Sequence, residues 1–234
     1  MKKTIGILGG MGPLATADLF KCIVLLTKAA SDNEHIPILV DNNTAIPDRT
    51  SAILYGGANP RPELIKSAKR LEAMGAELIV MPCNTAHYFY DDVARTVKIP
   101  FLNMINETVS EAKRMGLTTV GLLSTSGTSK SLVYDKAFKA QGIEVIKPSD
   151  AEQVSVTAII YEGIKASNYN IDLSAFKALL ERLHKSGAQA LVLGCTELPI
   201  AFDVFNLTAN TLNPSKILAA RAIEAAGGEV CQEA

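Results

Sequence analysis

The chain has 234 residues, 48% of them apolar and 20% charged, with 23 basic against 24 acidic side chains. That length and apolar content suit two compact domains with well-buried cores. The net charge of -1 gives no electrostatic ground for a nucleic-acid or anionic-membrane partner.

From the start of the chain, Met1-Lys2-Lys3 leads into Ile5-Gly6-Ile7-Leu8, a run too short for a secretory signal and ended by glycines that read as a strand-to-helix turn. No stretch approaches the ~20 apolar residues of a membrane span, so none is expected. Strand-like runs then fall at Thr4–Leu8, Ile36–Val40, Leu78–Met81, Phe101–Met104, Val120–Leu123, Leu191–Leu193 and Leu207–Leu212. Helical periodicity fills the intervals: Pro13–Ala30, Pro60–Gly75, Asn106–Gly116, Ser129–Gly142, Ala151–Ala166, Leu173–Gly187 and Pro214–Ala226. The alternation predicts βα units around mainly parallel sheets. Gly75, Gly116, Gly142 and Gly187 each stand where a helix must stop and positive φ is cheap only for glycine. Pro13 and Pro214 suit a first helical turn.

An internal echo organises the chain. Thr4-Ile5-Gly6-Ile7-Leu8 matches Thr119-Val120-Gly121-Leu122-Leu123, at an offset of 115 residues. Arg70-Leu71, Gly75-Ala76, Val80 and Cys83 match Arg182-Leu183, Gly187-Ala188, Val192 and Cys195, at an offset of 112. Two similar α/β domains follow, with Cys83 and Cys195 at equivalent points just past buried strands, the end at which open α/β sheets bind ligands. Facing domains would put the two thiols on opposite walls of one cleft.

Of the four cysteines (Cys22, Cys83, Cys195 and Cys231), none forms a CxxC pair or a zinc-ligand spacing, and three histidines complete the inventory. No metal site is indicated, and free thiols suit the cytoplasm. A cysteine after a strand is ordinarily a small buried apolar residue. This pair instead leads into polar residues, Asn84-Thr85 and Thr196-Glu197. Cys22, on a helical apolar face, and Cys231, in a polar tail, read as incidental.

Two opposed thiols suit inversion of a carbon that bears hydrogen and a carboxylate. One enters as thiolate, the other as thiol, and the roles swap with direction. A free thiol titrates near about 8.5, so modest tuning yields useful thiolate. Asn84, Thr85 and Thr196 can donate to a substrate carboxylate as charge builds there. No lysine-plus-phosphate-cup arrangement for pyridoxal phosphate is evident, and no cofactor is expected. Arg49 offers a planar fork for a carboxylate, and Lys165 a second cation, although near a helix end it could merely complement the dipole. Together they favour a dicarboxylate such as aspartate or glutamate. His87, four residues after Cys83, offers a Cys–His pair with a direct acid–base role, but with the second cysteine as partner base it is expected only to tune the site or pack. Glu197 either orients a neighbour or caps a helix. Gly10-x-Gly12-x-x-Ala15 also fits a dinucleotide turn, but the first acid after the second strand, Asp41, lies beyond the usual spacing of about 20 residues. A tight turn approaching a small anion, with Met11 near the substrate, is the preferred reading.

The sequence resembles the aspartate/glutamate racemase family, most closely its aspartate racemases. The resemblance rests on Gly6 to Thr16 (GILGGMGPLAT), Ile46-Pro47-Asp48-Arg49-Thr50, Met81-Pro82-Cys83-Asn84-Thr85-Ala86-His87, Tyr161-Glu162-Gly163-Ile164-Lys165 and Gly194-Cys195-Thr196-Glu197. It implies Cys83 and Cys195 as proton donor and acceptor, with Asp48, Arg49, Thr50, Asn84, Thr85, Ala86 and Lys165 binding substrate. It also implies two pseudo-symmetric domains around an active-site cleft, a homodimer, and neither cofactor nor metal. The C-terminal helix is expected to return to the first domain, giving 1–100 plus 213–234 and 101–212. A decarboxylase or cis–trans isomerase on the same scaffold is an alternative enzyme class, disfavoured by retention of both cysteines. A small-anion binding protein is a third class, which would leave the paired thiols unexplained.

Overall fold

The computed structural model describes residues 2–231, so residues 1 and 232–234 of the expected first domain lie outside the described residues. Strands β1 (Ile5–Gly9), β2 (Ile38–Asn42) and β3 (Leu78–Val80) form one parallel sheet in the order β2-β1-β3. Strands β4 (Thr119–Ser124), β5 (Glu144–Ile146), β6 (Ala190–Gly194) and β7 (Thr211–Leu212) form a second in the order β5-β4-β6-β7, also parallel. In each sheet the first strand is central, flanked by the second and third. The internal echo is therefore a repeat of topology, with β1 equivalent to β4 and β3 to β6.

Both sheets are covered on both faces, as parallel sheets require. Side chains alternate between the faces with the pleat. Ile5, Ile7, Leu78 and Val80 join one cluster, whereas Leu8, Ile79 and Met81 join another. Val120, Leu122, Ala190 and Val192 are likewise separated from Leu123, Leu191 and Leu193. The helices that cover them are exchanged between the halves. Helix α5 (Met104–Arg114) follows the first sheet, yet its Ile105, Val109 and Ala112 pack on β4 and β6 of the second. Helix α11 (Pro214–Ala225) follows the second sheet and buries Leu218, Ala219, Ala222 and Ile223 against β1 and β3 of the first. Asn103 and Asn213 cap these two helices in the same way, each Oδ1 accepting two backbone amides.

The glycine stops hold: Gly75, Gly116, Gly142 and Gly187 all have φ between +71° and +99°. Other expectations change. The strand expected at Phe101–Met104 is a single parallel bridge from Phe101 to Ile79, because the Asn103 cap starts α5 at Met104. Of Leu207–Leu212 only β7 pairs, again because a capped helix follows. The helix expected over Ser129–Gly142 is two, α6 (Ser126–Ser131) and α7 (Val133–Lys139), broken at Leu132, whose φ of 60° is left-handed. The first helix, α1 (Pro13–Leu26), ends early because Thr27 turns extended and bridges Val230. Helix α8 (Asp150–Ala158) continues as a wider π-helical segment, Ile159–Lys165. The helices expected over Pro60–Gly75 and Leu173–Gly187 are α3 (Arg61–Ala73) and α9 (Ser174–Lys185). Four strands and α-helices have no counterpart in the periodicity: α2 (Arg49–Leu54), α4 (Tyr90–Ala94), β5 and α10 (Glu197–Val204).

Candidate active site

The C-terminal ends of the two sheets face one cavity of about 110 Å³. Cys83, just after β3, and Cys195, at the end of β6, both line it and are 6% and 7% exposed. The thiols are thus brought to one site by equivalent strands. Met11, Asp48, Arg49, Thr50, Asn84, Thr85, Lys165 and Thr196 line the same cavity. Ala86 does not: it is fully buried in the core cluster behind Cys83. Thr125, Tyr161 and Glu197 complete the wall. Thr125 carried a signal in the echo, since it follows β4 as Gly10 follows β1.

Local backbone fixes each wall. Gly10 has φ +92°, and a Cβ there would stand 2.2 Å from the Asn43 carbonyl oxygen, so only glycine lets the turn after β1 reach the loop after β2. Asp48 caps α2 through the Ser51 amide, which sets Arg49 and Thr50 at the start of the helix. The Arg49 guanidinium donates through Nη1 to the Ile46 and Pro47 carbonyls and through Nη2 to Met11 O at 3.1 Å. Its Nε is buried without a partner. Arg49 therefore braces the loop to the glycine turn, keeping its Nε donor uncommitted.

The first half meets the second through hydroxyls and amides. Thr85 Oγ1 lies 3.0 Å from Thr125 Oγ1 and 2.9 Å from Thr128 Oγ1, and all three residues are buried. Tyr134, in α7, donates to Asn84 Oδ1 at 2.6 Å. That bond orients the carboxamide, and its Nδ2 is buried with no partner in the wall of the cavity. An unpaired buried donor costs free energy unless a ligand accepts from it.

Charge gathers on the opposite wall. Glu197, 4% exposed at the start of α10, accepts from Cys195 Sγ at 2.9 Å and from Thr196 Oγ1 at 3.2 Å through Oε2. Its Oε1 pairs with Lys165 Nζ, delivered by the π-helical segment. Glu197 thus orients its neighbours, one of the two roles open to it from sequence. Burial pushes the Cys195 thiol well up, and the adjacent carboxylate pushes it further. Burial works against the Lys165 charge, but Glu197 and the two cysteines hold its pKa above the ordinary value. A larger surface groove of about 790 Å³ lies between α5 and α11, away from the thiols. Several of its charges, Glu111, Arg114, Arg221 and Glu224, are paired with one another. Among the described residues no cluster of His, Cys, Asp and Glu could hold a metal ion, and no helix is long and apolar enough to cross a membrane.

The arrangement has close relatives. The structure overlays on an aspartate racemase of Picrophilus torridus with a TM-score of 0.88, at 31% identity, covering 99% of this chain and 97% of that one. It overlays on an aspartate racemase homologue of Pyrococcus horikoshii with a TM-score of 0.77, at 28% identity, over 97% and 100% of the two chains. The broad specificity amino-acid racemase RacX of Bacillus subtilis is 28% identical over 202 residues, 85% of this chain and 87% of that protein. The model of the Asp/Glu/hydantoin racemases matches residues 8–222, a span that includes both thiols and nearly every strand and helix around them. With that match and these overlays, the chain belongs to the Asp/Glu/hydantoin racemase family and is a racemase, an isomerase.

Proposed function

We propose that the protein interconverts L- and D-aspartate with Cys83 and Cys195 as the two acid–base groups. The observation that carries the reading is the pair of thiols at equivalent strand ends in the wall of one cavity. One thiolate takes the α-proton, the electron pair stays on carbon, and the opposed thiol delivers its proton to the other face. This balances without oxidant, reductant or Schiff base. Asn84 Nδ2, Arg49 Nε and the Thr85 hydroxyl are the donors that receive carboxylate oxygens as negative charge grows, with Thr196, whose hydroxyl is given to Glu197, in the wall beside them. Thr50, Asp48 and Met11 complete the substrate contacts, and Lys165 is the cation for a second carboxylate.

Aspartate is preferred because the cavity, at about 110 Å³, lies well below the ~300 Å³ at which ordinary ligand pockets begin. A second reading, action on glutamate or on several amino acids, is favoured by the similarity to a relative named for broad specificity. The proposal includes the division into 1–100 plus 213–234 and 101–212, supported by the exchanged helices α5 and α11. It includes a homodimer, supported by the apolar face of α1, where Leu14 and Leu25 are 52% and 62% exposed; light scattering tests this. It also includes a cytoplasmic setting, which would keep the four thiols reduced.

The decisive experiment incubates each enantiomer of aspartate and glutamate with the protein in deuterated water. Loss of the α-proton NMR signal should accompany loss of optical rotation for aspartate. Cys83→Ser and Cys195→Ser should each lower racemisation by more than about a thousandfold, the scale of losing an acid–base group. A variant that retains turnover would refute the two-thiol mechanism.

A further inference from the structure

The two thiols are buried alike but held differently. Cys195 Sγ donates to Glu197 Oε2 across 2.9 Å, and that oxygen also accepts from Thr196. The carboxylate cannot turn away, because its other oxygen is paired with Lys165 and its side chain is only 6% exposed. Among the described residues, no carboxylate hydrogen-bonds the Cys83 sulfur. With exposures of 6% and 7%, surface exposure does not separate the two cysteines. From this asymmetry we infer that Glu197 is a positioning residue that keeps Cys195 protonated and aimed in the substrate-free enzyme, so that Cys83 is the partner that enters as base. The inference rests on the two-thiol reading of the site and adds a resting direction to it.

The physical cause is local. Loss of the Cys195 proton would leave a thiolate 2.9 Å from a carboxylate in a site shielded from water, where like charges repel strongly. The other groups facing Cys195 do not reverse this. Lys165 opposes the effect, but its ammonium is paired with Glu197. Tyr161, from the same segment, and Tyr134, from α7, are phenols whose pKa values burial pushes up, so they stay neutral beside it. Across the cavity stand Cys83, Asp48 and Arg49. Turnover from the resting state takes the substrate α-proton onto the Cys83 thiolate and gives the Cys195 proton to carbon. It ends with a Cys83 thiol and a Cys195 thiolate beside Glu197. That state is the less stable one, and it returns by reverse turnover or by proton exchange with water.

Alkylation by iodoacetamide tests this on substrate-free protein, read thiol by thiol with peptide mass spectrometry across roughly pH 6 to 10. Cys83 should be modified at lower pH than Cys195. Glu197→Gln, uncharged and of the same shape, should raise the Cys195 rate about tenfold near neutral pH, the effect of one unit in pKa, and leave the Cys83 profile in place. Wild-type Cys195 reacting at or below the pH of Cys83 would overturn the inference, and that measurement needs no variant to fold. So would a Glu197→Gln protein whose Cys195 profile stays put, or whose two thiols shift together. None of these readings uses turnover. A failure of α-proton exchange with aspartate would therefore sink the proposed reaction without moving the alkylation order.

Discussion

At the scale of single residues, His87 lies four positions after Cys83, with Nδ1 2.9 Å from the Cys83 carbonyl oxygen and Nε2 accepting the Met104 amide at 3.0 Å. A ring that accepts at Nε2 carries its proton at Nδ1, the neutral tautomer that this network assigns. Burial lowers its pKa to about 4, against the stabilising effect of the Cys83 carbonyl. Protonation would set an N–H against the Met104 N–H, so His87 braces the Cys83 turn to the start of α5. The unfolded chain binds a proton near the ordinary value of about 6.5, and the native state only near 4. This residue's contribution is therefore complete above about pH 6.5 and falls as pH drops towards 4, by up to about 3 kcal/mol. Urea titrations through that window should show the slope in the wild type and a flatter one in His87→Gln. Equal slopes would mean that His87 is not buried neutral. Arg49 teaches a related lesson. Its residue type suggested a fork for a carboxylate, but both Nη atoms serve backbone carbonyls. Neighbours in space decided how many of its donors a ligand can use.

At the scale of elements, the contact that closes the site is α2 of one half against α6 of the other. It depends on Gly127, at the start of α6, where a Cβ would lie 2.6 Å from Thr50 Oγ1 and 3.0 Å from Thr50 Cα. The second of these is backbone and cannot rotate aside. Gly127→Ala should therefore separate the helices by a few tenths of an ångström or more, at a cost of about 1–3 kcal/mol. Thr50 and Thr125 line the cavity beside this contact, so turnover should fall at least tenfold even where the protein is fully folded. Thermal melts with racemisation assays would check both. Unchanged turnover would show that the halves have slack there. The π-helical segment is the other element that matters. Its wider turn presents Tyr161 and Lys165 together to the cavity, and π-turns recur at functional sites. Apolar periodicity read this stretch as ordinary helix through Ala166, since one register shift within a long helix leaves little trace in composition.

At the scale of the molecule, each half supplies a helix to the other's core. Without α11, the first sheet would expose Ile5 and Ile7, and α1 would expose Leu19 and Ile23, all fully buried in the native chain. At about 1.5–3 kcal/mol for each buried aliphatic side chain, the loss is comparable to a typical domain's whole net stability. A chain ending at Leu212 should lose its cooperative urea transition and bind a dye that reports exposed apolar surface. A cooperative, near-native transition would mean that the halves fold without the exchange. Alternation of strands and helices, the glycine stops and the twofold echo were all legible along the chain, because each depends on short-range spacing and chain conformation. The same local rules marked Cys83 and Cys195 as equivalent, since each lies just past a buried strand at the same offset of the echo. Tertiary structure alone decided that a lysine 32 residues away would fix the Glu197 carboxylate that holds the second thiol, that three threonine hydroxyls would meet across the halves, and that Arg49 would brace a turn. Those partners are distant in sequence, and a buried donor takes whichever acceptor the packed fold brings within about 3 Å.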